Sequence, residues 1–320
     1  MIVGTTVPDE TPHVEAQAEP PTRPGRPWSG IALALFGAIA FSGKAIIVKL
    51  GYRLGADAIT LLALRMLVAL PFFVLMAWWV RRDTQRFRLR GGDRWKIIGL
   101  GFSGYYLASF LDFAGLEYIT ATLERLILYL TPTLVLLIGV VLFRRKPAGR
   151  QLLALAISYL GVALAFGHDM ESGGDGIAIG GLLVFLSALS YASYLVGSGE
   201  VVARIGAVRL TAYASAVAAC FCLLHFMIVR PWHSLFEQPA DVYWLSLLNG
   251  TVCTVLPVLA TMMAVQRLGS ALASQIGMVG PVSTIVMSLL ILGEPMGPWQ
   301  VAGTVLVMLG VFVVTRPRPG

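Results

Sequence analysis

Apolar residues run along this chain in blocks of about twenty, separated by short polar stretches rich in arginine, glycine and proline. An α-helix needs ~20 residues to cross about 30 Å of hydrocarbon, whereas barrel strands would be about half as long. The blocks predict ten spans, at roughly 28–50, 58–80, 96–117, 120–143, 149–167, 176–198, 208–229, 242–266, 270–292 and 297–315. Little of the chain is left over. The expected fold class is therefore an all-α integral membrane protein. Composition agrees, with 57% hydrophobic and 13% charged residues against the roughly 25% charged of soluble domains. The mean hydropathy is +0.78.

Residues 1–27 hold six of the seventeen prolines, four acidic residues and no apolar block, and are expected to form a disordered cytoplasmic tail. The tail lacks the charged-then-apolar order of a cleavable signal, so the first span is expected to be a retained signal-anchor. Lysine and arginine set the orientation. With the N-terminus inside, eighteen of the twenty-four fall in cytoplasmic segments, and only Arg53 and Arg230 lie clearly outside. Both termini are thus expected in the cytoplasm, with the acidic loop 168–175 outside. The net charge of +7 then reports topology and contact with the lipid bilayer, and a nucleic-acid partner is disfavoured. Cys220, Cys222 and Cys253 lack paired metal or redox spacing, and His13, His168, His225 and His233 form no cluster. No metal and no cofactor is expected.

The chain also repeats. Setting Pro132 against Pro281 aligns LTPTLVLLIGVVLF with VGPVSTIVMSLLILGE and matches Gln151 with Gln300 and Gly161 with Gly310. One residue of further offset brings Gly30 to Gly180 and Phe41 to Tyr191. The predicted copies cover 28–167 and 176–315. Five spans is an odd number, so a first copy that starts inside obliges the second to run upside down. Inverted repeats of this kind are a feature of transporters.

FSGKAIIVKL, TLLALRMLVALPFF, LERLILYLTPTLVLL and GPVSTIVMSLLILGEPMGPWQVAGTVLVMLGVFVV resemble the drug/metabolite transporter superfamily, EamA-type. The resemblance spans nearly all of the chain after residue 28. It is carried by Lys49 ending the first helix, Arg65 in the second, a proline midway along the fourth and ninth, and Gly293, Glu294 and Pro295 before the tenth. It implies ten helices as two inverted five-helix repeats around a central cavity, in a bacterial inner (plasma) membrane, exporting small metabolites such as amino acids. Two departures stand out: Phe143, Arg144 and Arg145 where the family usually shows an acidic residue, and Phe41 where tryptophan is frequent.

Five charges fall within the spans at similar depth. At ~1.5 Å per residue, Lys44 lies roughly 9 Å and Arg65 about 10 Å from the outer end. Asp112, Glu124 and Arg125 share that layer, while helices 6 to 9 offer only hydroxyls, amides and rings there. Charges in hydrocarbon cost several kcal/mol, so these are expected to face the bundle interior and pair. Arg65 with Asp112 or Glu124 fits a fixed ion-pair lattice, with a coupling role for the acids as the other reading. Glu124 and Arg125 also suit capping or snorkelling near the interface. Lys44 has only Ala40 and Gly37 beneath it on its own face. Three cations against two anions leave one positive charge, and Lys44 is expected to carry it and hold a substrate carboxylate.

Tyr105, Tyr106, Tyr129, Tyr191 and Tyr194, with Phe41, suit either cavity lining or packing. Gln275 either reaches the cavity or bonds a neighbouring helix. Pro132 and Pro281 each release a carbonyl and mark candidate hinges. Gly303 and Gly310 suit close helix contact. The reading is a secondary transporter of small molecules, amino acids foremost, with multidrug or nucleoside-type substrates as the alternative. A homodimer is compatible with it. An enzyme is disfavoured because no nucleophile or metal set converges, and a channel or scaffold is the remaining different class.

Overall fold

The computed structural model describes residues 27–82, 91–143, 149–173, 175–268, 270–277 and 279–315, which are helical nearly throughout. The expected tail up to residue 26 and the basic pair Arg144 and Arg145 lie outside them. The helices are α1 (Trp28–Arg53), α2 (Ala58–Val80), α3 (Gly92–Leu116) and α4 (Ala121–Leu142). They continue with α5 (Gly149–Gly173), α6 (Asp175–Ile205), α7 (Ala207–Val229), α8 (Ala240–Leu268) and α9 (Ser270–Gly277). The chain closes with α10 (Val279–Leu292) and α11 (Pro298–Val313).

Eight helices, α1 to α8, are long and apolar enough to cross a membrane, and α10 and α11 are shorter apolar helices. All seven tryptophans are exposed near a helix terminus, from Trp28 at 77% to Trp299 at 47%, as expected of aromatic belts at the two membrane surfaces. The molecule is an all-helical integral membrane protein.

One predicted loop is helical. The polar stretch from His168 was expected outside the helix, but α5 runs on to Gly173. The cause is at Asp169, which is buried and accepts a hydrogen bond from Gln300 Nε2 on α11. That partner removes the need for water which the sequence pattern suggested.

Helices of the first half lean chiefly on helices of the second: α1 on α8, α2 on α7, α3 on α6 and α5 on α11. Lipid offers no hydrophobic gain for joining helices, so close backbone approach must supply the packing energy. The α5–α11 seam shows this. A Cβ on Gly161 would stand 2.7 Å from the Gly303 carbonyl oxygen, and one on Gly303 2.6 Å from that of Gly161. α3 and α8 each contain a π-helical stretch, starting at Phe102 and Thr251, 149 residues apart like Pro132 and Pro281.

Candidate functional site

The interior charges are brought together by α1, α3 and α4. Lys44 donates a hydrogen bond to Asp112 Oδ2, and its ammonium lies 3.2 Å from Glu124 Oε1. All three side chains are buried, Glu124 completely. Asp112 Oδ1 and both Glu124 oxygens accept no hydrogen bond from the described residues. One ammonium thus serves two carboxylates away from water, where an unpaired charge of either sign is costly.

This corrects the expected pairing. The acids were assigned to the arginines, leaving Lys44 in excess; both instead lie on Lys44. Arg125 hydrogen-bonds only neutral groups among the described residues. Its Nε donates to Thr284 Oγ1 and its Nη2 to Ser42 Oγ, each at 2.9 Å, and its guanidinium stands 5.4 Å from the Phe41 ring centre. Arg65 lies apart as well. It donates to Ser109 Oγ at 3.0 Å, covers the Phe113 ring at 4.8 Å, and its Nε is buried without a partner. Among the described residues no carboxylate lies within 4 Å of Arg125 or Arg65. Depth placed these groups in one layer, but pairing depends on rotation about each helix axis, at about 100° per residue, which depth does not give.

The prolines sit where helices are joined. Pro132 removes the N–H that would bond Leu128 O, and the Thr131 hydroxyl donates to that carbonyl at 2.6 Å. The backbone turns at Tyr129 and Leu130 before the helix resumes at Thr131. Pro281 likewise frees Gly277 O. The Tyr129 hydroxyl crosses from α4 and donates to it at 3.2 Å. Gly280 O takes hydrogen bonds from Ser42, at 2.8 Å, and Thr284, at 3.2 Å. The two hydroxyls that accept from Arg125 are therefore anchored beside Pro281.

The aromatic candidates separate into two groups. Tyr106 pairs with His225 Nδ1 at 3.0 Å, in a cluster with Phe102 and Phe221. Tyr191 stacks on Tyr194, whose hydroxyl lies 3.3 Å from that of Tyr105. Phe41 and Tyr191 share a further property, being 43% and 38% exposed. On α1 the lipid-side stripe includes Phe36, and on α6 it includes Leu182 and Leu186. Five residues of helix turn each ring about 140° away from Phe36 or Leu186. Phe41 thereby meets the buried Lys44 and Arg125, 5.6 and 5.4 Å from its ring centre, and Tyr191 meets the buried Tyr194. The Gln275 side chain lies outside the described residues.

Two clefts lie at the periphery, about 350 Å³ beside Arg53 and Asp241 and about 280 Å³ beside Phe166 and Phe185. Among the described residues no group of three or more His, Cys, Asp or Glu side chains could hold a metal ion.

The sequence profile of the EamA-like transporter family matches residues 28–167 and again 178–316. The chain belongs to that family. It is 32% identical over 278 residues to the uncharacterized transporter YcbK of Bacillus subtilis (strain 168), covering 86% of this chain and 89% of that one. It is 24% identical over 286 residues to an uncharacterized transporter of Archaeoglobus fulgidus, covering 88% and 95%. One solved crystal structure shares the fold, with a TM-score of 0.61 at 17% identity, covering 89% of this chain and 95% of that one. The expected drug/metabolite-type membership stands, and the EamA unit occurs twice.

In this EamA-like transporter one end of the bundle is tied across the halves by hydrogen bonds and an ion pair. Glu294, after α10, accepts from Ala121 N at 3.0 Å and from the Ser288 hydroxyl, and lies 3.9 Å from Lys49. Lys49 also donates to Leu116 O and Ile119 O, at 3.1 and 2.8 Å, and Arg53 donates to Leu292 O. Gly293 makes the turn with φ 65°. Ser42, Thr284 and Ser109 were not anticipated. Hydroxyls are common throughout these helices, and only adjacency to Arg125, three residues after Pro281 for Thr284, would have drawn attention to them.

Proposed function

We propose that this transporter exports small metabolites, amino acids foremost, by alternating access. In this reading ten spans, with α9 and α10 together forming the ninth, make two inverted five-helix halves around a central cavity. Both termini lie in the cytoplasm of a bacterial cell and the chain crosses its inner membrane. The observation that carries the reading is the pair Phe41 and Tyr191. We take them as matching positions of the two copies, and Phe41 is partly exposed beside the buried Lys44 and Arg125. A central, aromatic-lined, charge-bearing space serves transport and has no use in a scaffold.

The cross-half stitch at Glu294 supports a molecule closed at one end, and the proline pair supports helices that bend to open it. Multidrug and nucleoside-type substrates fit the rings but leave Arg125 without a carboxylate partner. Counterflow into proteoliposomes tests the reading. Saturable, substrate-dependent exchange of aromatic or other neutral amino acids is expected. Conductance without saturation, or no exchange with amino acids, nucleosides or cationic drugs, would overturn it.

A further inference from the structure

Resting on the transporter reading, we infer that Arg125 is the carboxylate-binding group of the transported molecule and that Phe41 carries the apolar part beside that carboxylate. The interior layer holds Lys44, Arg65 and Arg125 against Asp112 and Glu124, an excess of one positive charge. Lys44 is ruled out as its carrier, since it already faces both acids, one in a hydrogen bond and the other at 3.2 Å. Arg65 is closed off by Phe113, which has no exposed surface. Arg125 is as buried as Arg65, each 5% exposed, but the ring beside it is not. No carboxylate of the described residues pairs with it within 4 Å, and it stands over Phe41, a partly exposed ring.

The geometry also orients the guanidinium. Of its five N–H donors, two are taken by Ser42 and Thr284. Ser42 has carbonyls of Ala38 and Gly280, at 2.7 and 2.8 Å, to take its one proton, and Thr284 has that of Gly280, so each offers only lone pairs to the arginine. They act as a fixed cradle and do not neutralise the charge. The remaining donors form a planar fork of the shape that takes a carboxylate in two parallel hydrogen bonds. An amino or hydroxy acid held there would put its apolar side chain against Phe41. It would also touch α1, α4 and α10 together, beside Pro281, so binding would act on the place where the helices can bend.

The test uses the full-length protein in proteoliposomes, with phenylalanine and phenylalaninamide as probes. Arg125→Gln is expected to raise the half-saturating concentration of phenylalanine by about ten- to hundredfold while leaving the amide within about twofold. Thr284→Val removes half the cradle and keeps the arginine, and is expected to weaken phenylalanine several-fold with the amide unchanged. It carries the test if Arg125→Gln does not fold. Equal effects of either variant on acid and amide, or none on either, overturn the inference and leave the transporter reading standing. Competition by chloride or phosphate as strong as by phenylalanine also overturns it, in favour of an inorganic-anion site. Wild-type protein that exchanges neither probe overturns the inference and the amino-acid reading together.

Discussion

Lys44 is the residue on which the two interior acids depend, and Lys44→Met should show it. Methionine keeps the volume and removes the charge. At an effective dielectric of about 20, the 3.2 Å separation from Glu124 alone corresponds to about 5 kcal/mol of attraction. Desolvation offsets part of this, but the desolvation of the two acids is not recovered when only the lysine is removed. Breaking a buried pair from one side costs about 3–5 kcal/mol, and here two carboxylates are abandoned at once. Thermal unfolding in detergent, followed by size-exclusion fluorescence, should show a marked loss of stability for Lys44→Met. Adding Asp112→Asn and Glu124→Gln should restore much of it, because the remaining groups are then neutral. Wild-type stability in Lys44→Met, combined with lost discrimination between an amino acid and its amide, would refute this and return Lys44 to substrate binding.

Tyr129→Phe abandons Gly277 O, at a cost of about 1 kcal/mol, and should speed hydrogen exchange in peptides spanning α9 and α10. In a Pro281→Ala background the N–H of residue 281 regains that carbonyl, and the effect of Tyr129→Phe should vanish. Glu294→Ala removes the carboxylate links of the stitch between halves and leaves the Arg53–Leu292 bond. In a cysteine-free background it should raise labelling of Phe41→Cys by an impermeant maleimide, added from the side of the α1–α2 turn, by about tenfold; an unchanged rate removes the seal. Ser234→Cys, between α7 and α8, should be labelled from outside intact cells, and labelling from the cytoplasmic side alone would reverse the proposed topology.

The helical membrane fold was legible because bilayer thickness dictates block length, and no soluble protein needs ten such blocks. The repeat was legible through Pro132 and Pro281, since backbone consequences of proline persist when side chains diverge. The charge layer was legible through depth alone. Which acid meets which base was not, because that turns on helix rotation and on hydroxyls such as Ser42 and Thr284 that look like any others in a membrane segment. The run beginning at His168 misled for a related reason: polarity signals a loop only when water is the partner, and for Asp169 the partner is Gln300.

The paired π-helical stretches of α3 and α8 bear on the history of the molecule. A π turn accommodates one residue more than the α turns around it, so it marks a place where a helix can absorb an inserted residue without breaking; α10 holds a third, Ser288–Leu292, without a counterpart in α4. Two such insertions at one position of two copies are accounted for by a single event in the ancestral half-length chain, before it was copied. On that account, present-day half-length descendants of that ancestor should carry the same widened turn in their third helix.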